Sequence, residues 1–290
     1  MKKRNIELSI IIVNYNVKEK ISTCISLLPK NKYEIIVIDN NSVDGSYHHL
    51  IKIFSNKVRF VNNSCNIGFA KAVNQGIKLA KGKLILLLNP DTVPNKEAIE
   101  VLLDFLRKDS GKIGLVGGRL TKPGSDHIHD TFVNKPNFWT GVFEFTNLKK
   151  IFPNNKYSRN FYYKGDDITK PKLVYGLSGG FLMFRRDLIK DIGYFDENFF
   201  MYLEDVDFGV RSRQNGYQNY YLPQAKIVHD SGSSSRKSKY KINVKAWRHS
   251  RNYYFCKHCN YFERVILSAL FYIDDLVVDI FHKIKKEPLS

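Results

Sequence analysis

No stretch of this 290-residue chain offers about 18 clean apolar residues in a row, so no membrane-spanning helix is expected. The first residues lack the basic flank, apolar run and small-residue site of a signal peptide, and none is expected. Cysteine is scarce. Cys24, Cys65, Cys256 and Cys259 are too few and too scattered for a disulfide framework, which fits a reducing cytoplasm. Cys256 and Cys259 form one C-x-x-C without a matching second pair, which is poor support for zinc. Neither G-x-G-x-x-G nor G-x-x-x-x-G-K-[ST] occurs, so a dinucleotide fingerprint and a P-loop both lack support, and any phosphate must be held another way. Acids are in deficit, 28 against 46 Lys and Arg, for a net charge of +18. A nucleic acid, an anionic membrane face or a phosphorylated substrate would each answer that charge. No nucleic-acid module motif is visible, and no such partner is expected.

What is present is a core. Hydrophobic residues make up 43% and aromatics 13%, which argues against disorder. Leu84 to Leu88 is a short continuous apolar run that meets Asn89-Pro90-Asp91 without a break, and it reads as a strand buried on both faces. Leu8 to Val13, Glu34 to Asp39 and Val58 to Val61 read the same way, with helices expected at Glu19–Leu28, Ser46–Phe54, Asn66–Ala80 and Lys96–Arg107. Strand and helix alternate four times, the pattern of a parallel sheet with right-handed crossovers. Residues 119–173 show no clean period and read as a long loop or insertion. Strands follow at 181–184, 217–222 and 225–228, with helices at 187–192 and 205–214. The tail, 236–290, is basic and helical. Over Tyr261–Ile284 apolar residues recur at steps of three and four, as one long amphipathic helix or a pair.

Acids fall repeatedly at strand ends: Asp39, Asp91, and the pair Glu204-Asp205. In an open α/β sheet that edge binds ligands, and acids gathered there suit a hard cation and a ligand with several polar parts. The Glu204-Asp205 pair would supply a base for a hydroxyl proton, or would simply favour the start of the following helix.

Five motifs in order carry a resemblance over roughly residues 8–235: Val13-Asn14-Tyr15-Asn16, Asp39 to Ser46, Asn66-Ile67-Gly68-Phe69-Ala70, Asn89-Pro90-Asp91, and Phe200 to Phe208. The chain resembles the family 2 glycosyltransferases of the GT-A fold, in the branch holding many bacterial rhamnosyltransferases. The resemblance implies an α/β fold, a Rossmann-like mostly parallel sheet flanked by helices, as a catalytic domain over 1–235, with 236–290 as a C-terminal helical segment. It implies Asn14 and Tyr15 at the nucleotide base, Asp39 on base or ribose, and Asn41, Gly68, Phe69 and Asn89 as further nucleotide contacts. Asp91 closes a D-x-D-type motif whose first acid is here Asn89. With His229 it would hold Mg²⁺ or Mn²⁺. Asp205 would be the base of an inverting transfer and Glu204 its support, or the reverse. Gly179 and Gly180 would pass under the donor and acceptor sugars. Trp139 would stack on an acceptor sugar, or else pack its loop to the domain.

The implied substrates are a nucleotide sugar, dTDP-rhamnose by the closest branch, and a lipid-linked saccharide of a surface polysaccharide. The implied place is the inner face of the cell membrane. The amphipathic tail would touch that membrane, pack on its own domain, or pair two copies as a homodimer. A nucleotidyltransferase remains as an alternative, although Asn14-Tyr15-Asn16-Val17 lacks the Gly-rich basic loop such enzymes want. A non-catalytic glycan-binding scaffold is the other, against which the intact Asp91, Glu204 and Asp205 argue.

Overall fold

The computed structural model describes residues 6–125, 131–230 and 237–284. The first half is a strict alternation: β1 (Leu8–Asn14), α1 (Lys18–Leu27), β2 (Glu34–Asp39), α2 (Ser46–Phe54), β3 (Arg59–Asn62), α3 (Phe69–Leu79) and β4 (Leu84–Leu88). Then come β5 (Thr92–Val93), α4 (Lys96–Arg107), β6 (Ile113–Thr121), β7 (Phe132–Val133), α5 (Phe138–Phe143), α6 (Leu148–Ile151), α7 (Lys156–Phe161), β8 (Lys172–Val174) and β9 (Gly176–Leu177). The chain closes with β10 (Phe181–Arg185), α8 (Leu188–Ile192), α9 (Glu204–Gln214), β11 (Gln218–His229), α10 (Lys237–His258) and α11 (Tyr261–Ile284).

A 9-stranded sheet orders these strands β3-β2-β1-β4-β10-β6-β11-β5, with β8 also on β11; β7 and β9 form a separate pair. β3, β2, β1 and β4 run parallel, and β10 enters antiparallel between β4 and β6. The register aligns the functional edge. Asn14 stands beside Asp39, and Leu88 stands beside Phe181, so the ends of β1, β2 and β4 meet the start of β10.

The sheet is buried on both faces, which is why its strands read as unbroken apolar runs. One face packs Ile21 and Ile25 of α1 and Ile99, Leu102 and Leu106 of α4. The other packs Val73 and Ile77 of α3, Leu188 of α8 and Phe208 of α9. A third cluster joins Phe145, Phe161, Phe199 and Leu203 to Tyr254, Phe255, Leu267 and Phe271, so α10 and α11 share a core with the second half of the sheet domain. The expected boundary near residue 235 lies outside the described residues.

Two expectations are corrected. Residues 119–173 are not one loop, since they carry β7, three short helices and β8. Helices of four to six residues are too short to print a 3.6-residue period. The asparagines that made the segment look like loop cap two of them: Asn137 Oδ1 accepts from Thr140 N at 2.9 Å, and Asn155 Oδ1 from Ser158 N at 2.8 Å. The two strands expected over 217–228 are one, β11, with a register shift between Leu222 and Lys226. Pro223 sits in that irregularity, where a missing N–H costs no ladder bond.

Candidate active site

A cleft of about 790 Å³ opens at the edge where β1, β2 and β4 end. One wall comes from those strand ends and their loops, with Tyr15, Asn40, Asn66, Gly68, Asn89 and Asp91. The other comes from the α5–α7 segment, the loop before α9, and α10. Phe69, Gly179, Gly180, Glu204, Asp205 and His229 also line it, so most of the sequence candidates meet in one place.

Asp91 and His229 are brought together by strand pairing. β5 runs antiparallel to β11 with Thr92 beside His229, and Asp230 N donates to Asp91 O at 2.9 Å. That leaves Asp91 Oδ1 3.1 Å from His229 Nε2, with both side chains partly exposed to the cleft. Among the described residues no third acid, histidine or cysteine joins them in a metal-binding group. A carboxylate and an imidazole this close still suit a divalent ion whose other ligands are phosphate oxygens and water. The charge balance agrees. In a chain with 46 Lys and Arg, Lys149 is the lone Lys or Arg among the described residues lining the cleft. A diphosphate beside Asp91 and Asp205 therefore finds little basic neutralisation from those residues.

Glu204 and Asp205 are the first two residues of α9. They are aimed by strained backbone: Tyr202 (φ 75°) and Leu203 (φ 66°) are both left-handed, at about 1–3 kcal/mol each. Burial of Phe199 and Leu203 in the third cluster holds that turn in place. Neither acid caps the helix, because the cap position is Leu203. The two carboxyls differ. Asp205 Oδ2 accepts from Gly179 N at 2.9 Å and its Oδ1 from Val206 N at 2.8 Å. Burial raises its pKa, and those two N–H bonds offset only part of the rise. Glu204 is 5% exposed and its Oε2 has no partner among the described residues. Burial, and then the neighbouring Asp205 charge, push it well above the usual carboxylate range. Burial thus lifts both carboxyls above their ordinary values, and the two N–H bonds to Asp205, which Glu204 lacks among the described residues, favour the anion on Asp205.

Gly68 (φ 88°) fits where nothing larger would, since a Cβ there would meet Phe200 O at 2.6 Å. Phe69 N donates to that same oxygen at 2.7 Å, which ties the start of α3 to the loop ahead of the acid pair.

Four sequence candidates lie elsewhere. Asn14 and Asp39 sit behind the cleft wall, Asp39 at 1% exposure. Asn14 Nδ2 donates to Asp39 Oδ2 at 2.6 Å, and Asp39 Oδ1 accepts from Ser42 N at 2.7 Å, so they brace the loop after β2. Asn41 is exposed on that loop, left-handed at φ 65°. Trp139 is 49% exposed and absent from the cleft lining, stacked on Tyr157 at 5.4 Å. Sequence reasoning missed Asn40, Glu144, Lys149, Tyr202 and Trp247, all of which line the cleft. Asn40 carried a usable signal, one residue past a strand-end acid. The others did not.

The sequence pattern of Glycosyl transferase family 2 matches residues 9–193. N-acetylglucosaminyl-diphospho-decaprenol L-rhamnosyltransferase of Mycobacterium tuberculosis is 26% identical over 230 residues, covering 75% of this chain and 73% of that protein. The low-salt glycan biosynthesis hexosyltransferase Agl10 of Haloferax volcanii is 26% identical over 226 residues, covering 77% and 66%. Among solved structures, the mannosyltransferase PcManGT of Pyrobaculum calidifontis, in complex with GDP-Man and Mn²⁺, superposes with a TM-score of 0.57 at 15% identity, covering 92% of this chain and 69% of that one. S. aureus TarS 1–349 with UDP-GlcNAc gives 0.56 at 18% identity, covering 92% and 71%.

Proposed function

Because this chain belongs to glycosyl transferase family 2, we propose that it moves a sugar, rhamnose from dTDP-rhamnose, onto a lipid-diphosphate-linked saccharide in the synthesis of a cell-surface polysaccharide. One observation carries this reading: Asp205, Gly179, Asp91 and His229, far apart in sequence, line a single cleft at the sheet edge. The rhamnosyltransferase and the hexosyltransferase among its relatives support the substrate class.

Asp205 takes the acceptor hydroxyl proton as that oxygen attacks the anomeric carbon. The bond from that carbon to the diphosphate breaks on the opposite side, so the centre inverts in one step. Gly179 N holds Asp205 Oδ2 in direction, and protonated Glu204 adds no competing charge. Asp91 and His229 would hold Mg²⁺ or Mn²⁺, and PcManGT crystallised with Mn²⁺ supports a divalent ion. When bound, the ion supplies positive charge to the departing nucleoside diphosphate.

Thermal shift with dTDP, UDP and GDP, each with and without Mn²⁺, tests the reading. The expected result is stabilisation by dTDP that depends on Mn²⁺, growing as RT ln(1 + [L]/Kd). Greater protection by UDP would replace the donor assignment. Protection by no nucleotide would remove the transferase reading itself.

The reading also places the chain at the cytoplasmic face of a membrane. No described helix is long and apolar enough to cross one. α11 instead leaves Phe262 at 77%, Ile266 at 54% and Ile273 at 57% exposure, beside Val265, Leu276, Val277 and Ile280. Asp274 accepts from Asn147 and Asp275 pairs with Arg248, while Asp279 pairs with Arg248 and stays half exposed. A mostly apolar face on a chain of net +18 suits shallow insertion into an anionic bilayer. Ile266→Asp with Ile273→Asp leaves Leu267 and Phe271 in the core, and is expected to abolish co-sedimentation with anionic vesicles. Unchanged sedimentation would exclude this face. A wild-type dimer that the same variant splits would assign the face to a second copy instead.

A further inference from the structure

At the α10 end of the cleft, aromatic surface and a half-satisfied carboxylate stand together. Trp247 lies parallel to Phe145, with centroids 5.5 Å apart and planes at 9°. Tyr202 meets it edge-on at 5.9 Å and 78°, so the indole plane is fixed from two sides. Ser250 Oγ donates to Met201 O at 2.8 Å and binds this part of α10 to the loop that leads into Glu204-Asp205. Glu144 follows α5 directly. Its Oε1 accepts from Tyr162 Oη at 2.9 Å and faces Lys149 Nζ at 3.4 Å. Oε2 has no donor among the described residues, although the residue is only 8% exposed and lines the cleft.

Oε2 keeps access to the cleft and is free to accept from a ligand hydroxyl, while Tyr162 and Lys149 hold the other oxygen in place. A sugar ring answers both features, because it has a C–H face that lies on an aromatic plane and hydroxyls along its rim that donate to a carboxylate. An acyl chain would answer the aromatic surface and leave Glu144 unmatched. The opposite wall, built on the ends of β1, β2 and β4, carries Asp91, so the two walls flank the acid pair.

We propose that Trp247, Tyr202 and Glu144 form the acceptor-saccharide subsite. Trp247 is its stacking platform and Glu144 its hydroxyl acceptor. This rests on the transferase reading above, and it makes α10 part of the substrate site. Glu144 and Trp247 determine specificity; neither touches a reacting bond.

Trp139 and Trp247 are the chain's two tryptophans, so Trp139→Phe leaves Trp247 as the sole indole reporter. This variant, loaded with UDP or dTDP and Mn²⁺, is titrated with the methyl glycosides of glucose, galactose, rhamnose and N-acetylglucosamine. The expected result is a saturable change in Trp247 emission with at least one glycoside. Adding Glu144→Gln is expected to weaken that glycoside by about tenfold, because the charge-assisted bond is lost. A nucleotide-protected protein whose emission no glycoside moves would overturn the subsite and leave the transferase reading standing. An emission change indifferent to Glu144→Gln would overturn the role of Glu144. Failure of every nucleotide to protect the fold would count against the transferase reading instead.

Discussion

Asp205→Asn lowers sugar transfer by about a thousand-fold or more, while the affinity for nucleoside diphosphate stays within about twofold of the parent. The amide keeps the size of the side chain and can still accept from Gly179 N, so the cleft keeps its shape and loses only the ability to take a proton. Glu204→Gln is the control. If Glu204 already holds its proton, as burial and the adjacent Asp205 charge dictate, an amide mimics its working state and most activity survives. A dead Glu204→Gln beside an active Asp205→Asn would exchange the two assignments. The pH profile adds an independent reading. Burial raises the Asp205 pKa, so the active anion forms only above the ordinary Asp range, and the rate falls as pH drops through that raised value. The acid limb should stay in place in Glu204→Gln, whose amide is as neutral as the protonated carboxyl it replaces, and a limb that moves would show that Glu204 ionises together with Asp205.

Legibility in the sequence followed the range of the forces involved. β1, β2 and β4 were plain because burial on both faces demands unbroken apolar runs, and that demand is local. Asp91 and His229 were readable because each ends a strand, and the β5–β11 pairing then sets their distance. Asp39 ends a strand too, yet its side chain is turned to Asn14 and Ser42. Strand-end position names a residue's neighbourhood; only the adjacent strand fixes what the carboxylate touches. The sequence pointed to the tryptophan that lies outside the cleft for a related reason. Trp139 lies in a segment that looked like a substrate loop, whereas Trp247 reaches the cleft from a basic helix far along the chain. Its position depends on α10 packing against the loop before α9, a tertiary contact with no local signature.

Asp207→Ala should cost about 3–5 kcal/mol of stability, the usual result of removing one member of a buried charge cluster. Asp207 is fully buried and accepts at 2.8 Å from each of Arg211, Lys257 and His258. Lys257 also reaches Asp196 at 2.7 Å. Without the carboxylate, Arg211, Lys257 and His258 face one another across a gap, and a melting temperature lower by on the order of 10 °C is expected. Acid should act in the same direction. Burial opposes ionisation of Asp207, but the His258 hydrogen bond and the Arg211 charge outweigh it and hold the pKa below the ordinary value. Asp196 is held down at about 2, chiefly by Lys257 against the cost of its burial. Both groups have folded pKa values below their unfolded ones, so their stabilisation is complete above about pH 4 and fades as pH falls toward 2. Asp207→Asn keeps the shape and removes the titration, so its unfolding free energy should fall less steeply over that interval than the parent's. The two profiles running parallel would show that Asp207 is not ionised in the folded chain. The cluster also has a consequence for catalysis. It joins the last turn of α10 to the first turn of α9, two residues past Asp205, so Lys257→Met should lower kcat through a displaced base even at temperatures where the variant remains fully folded.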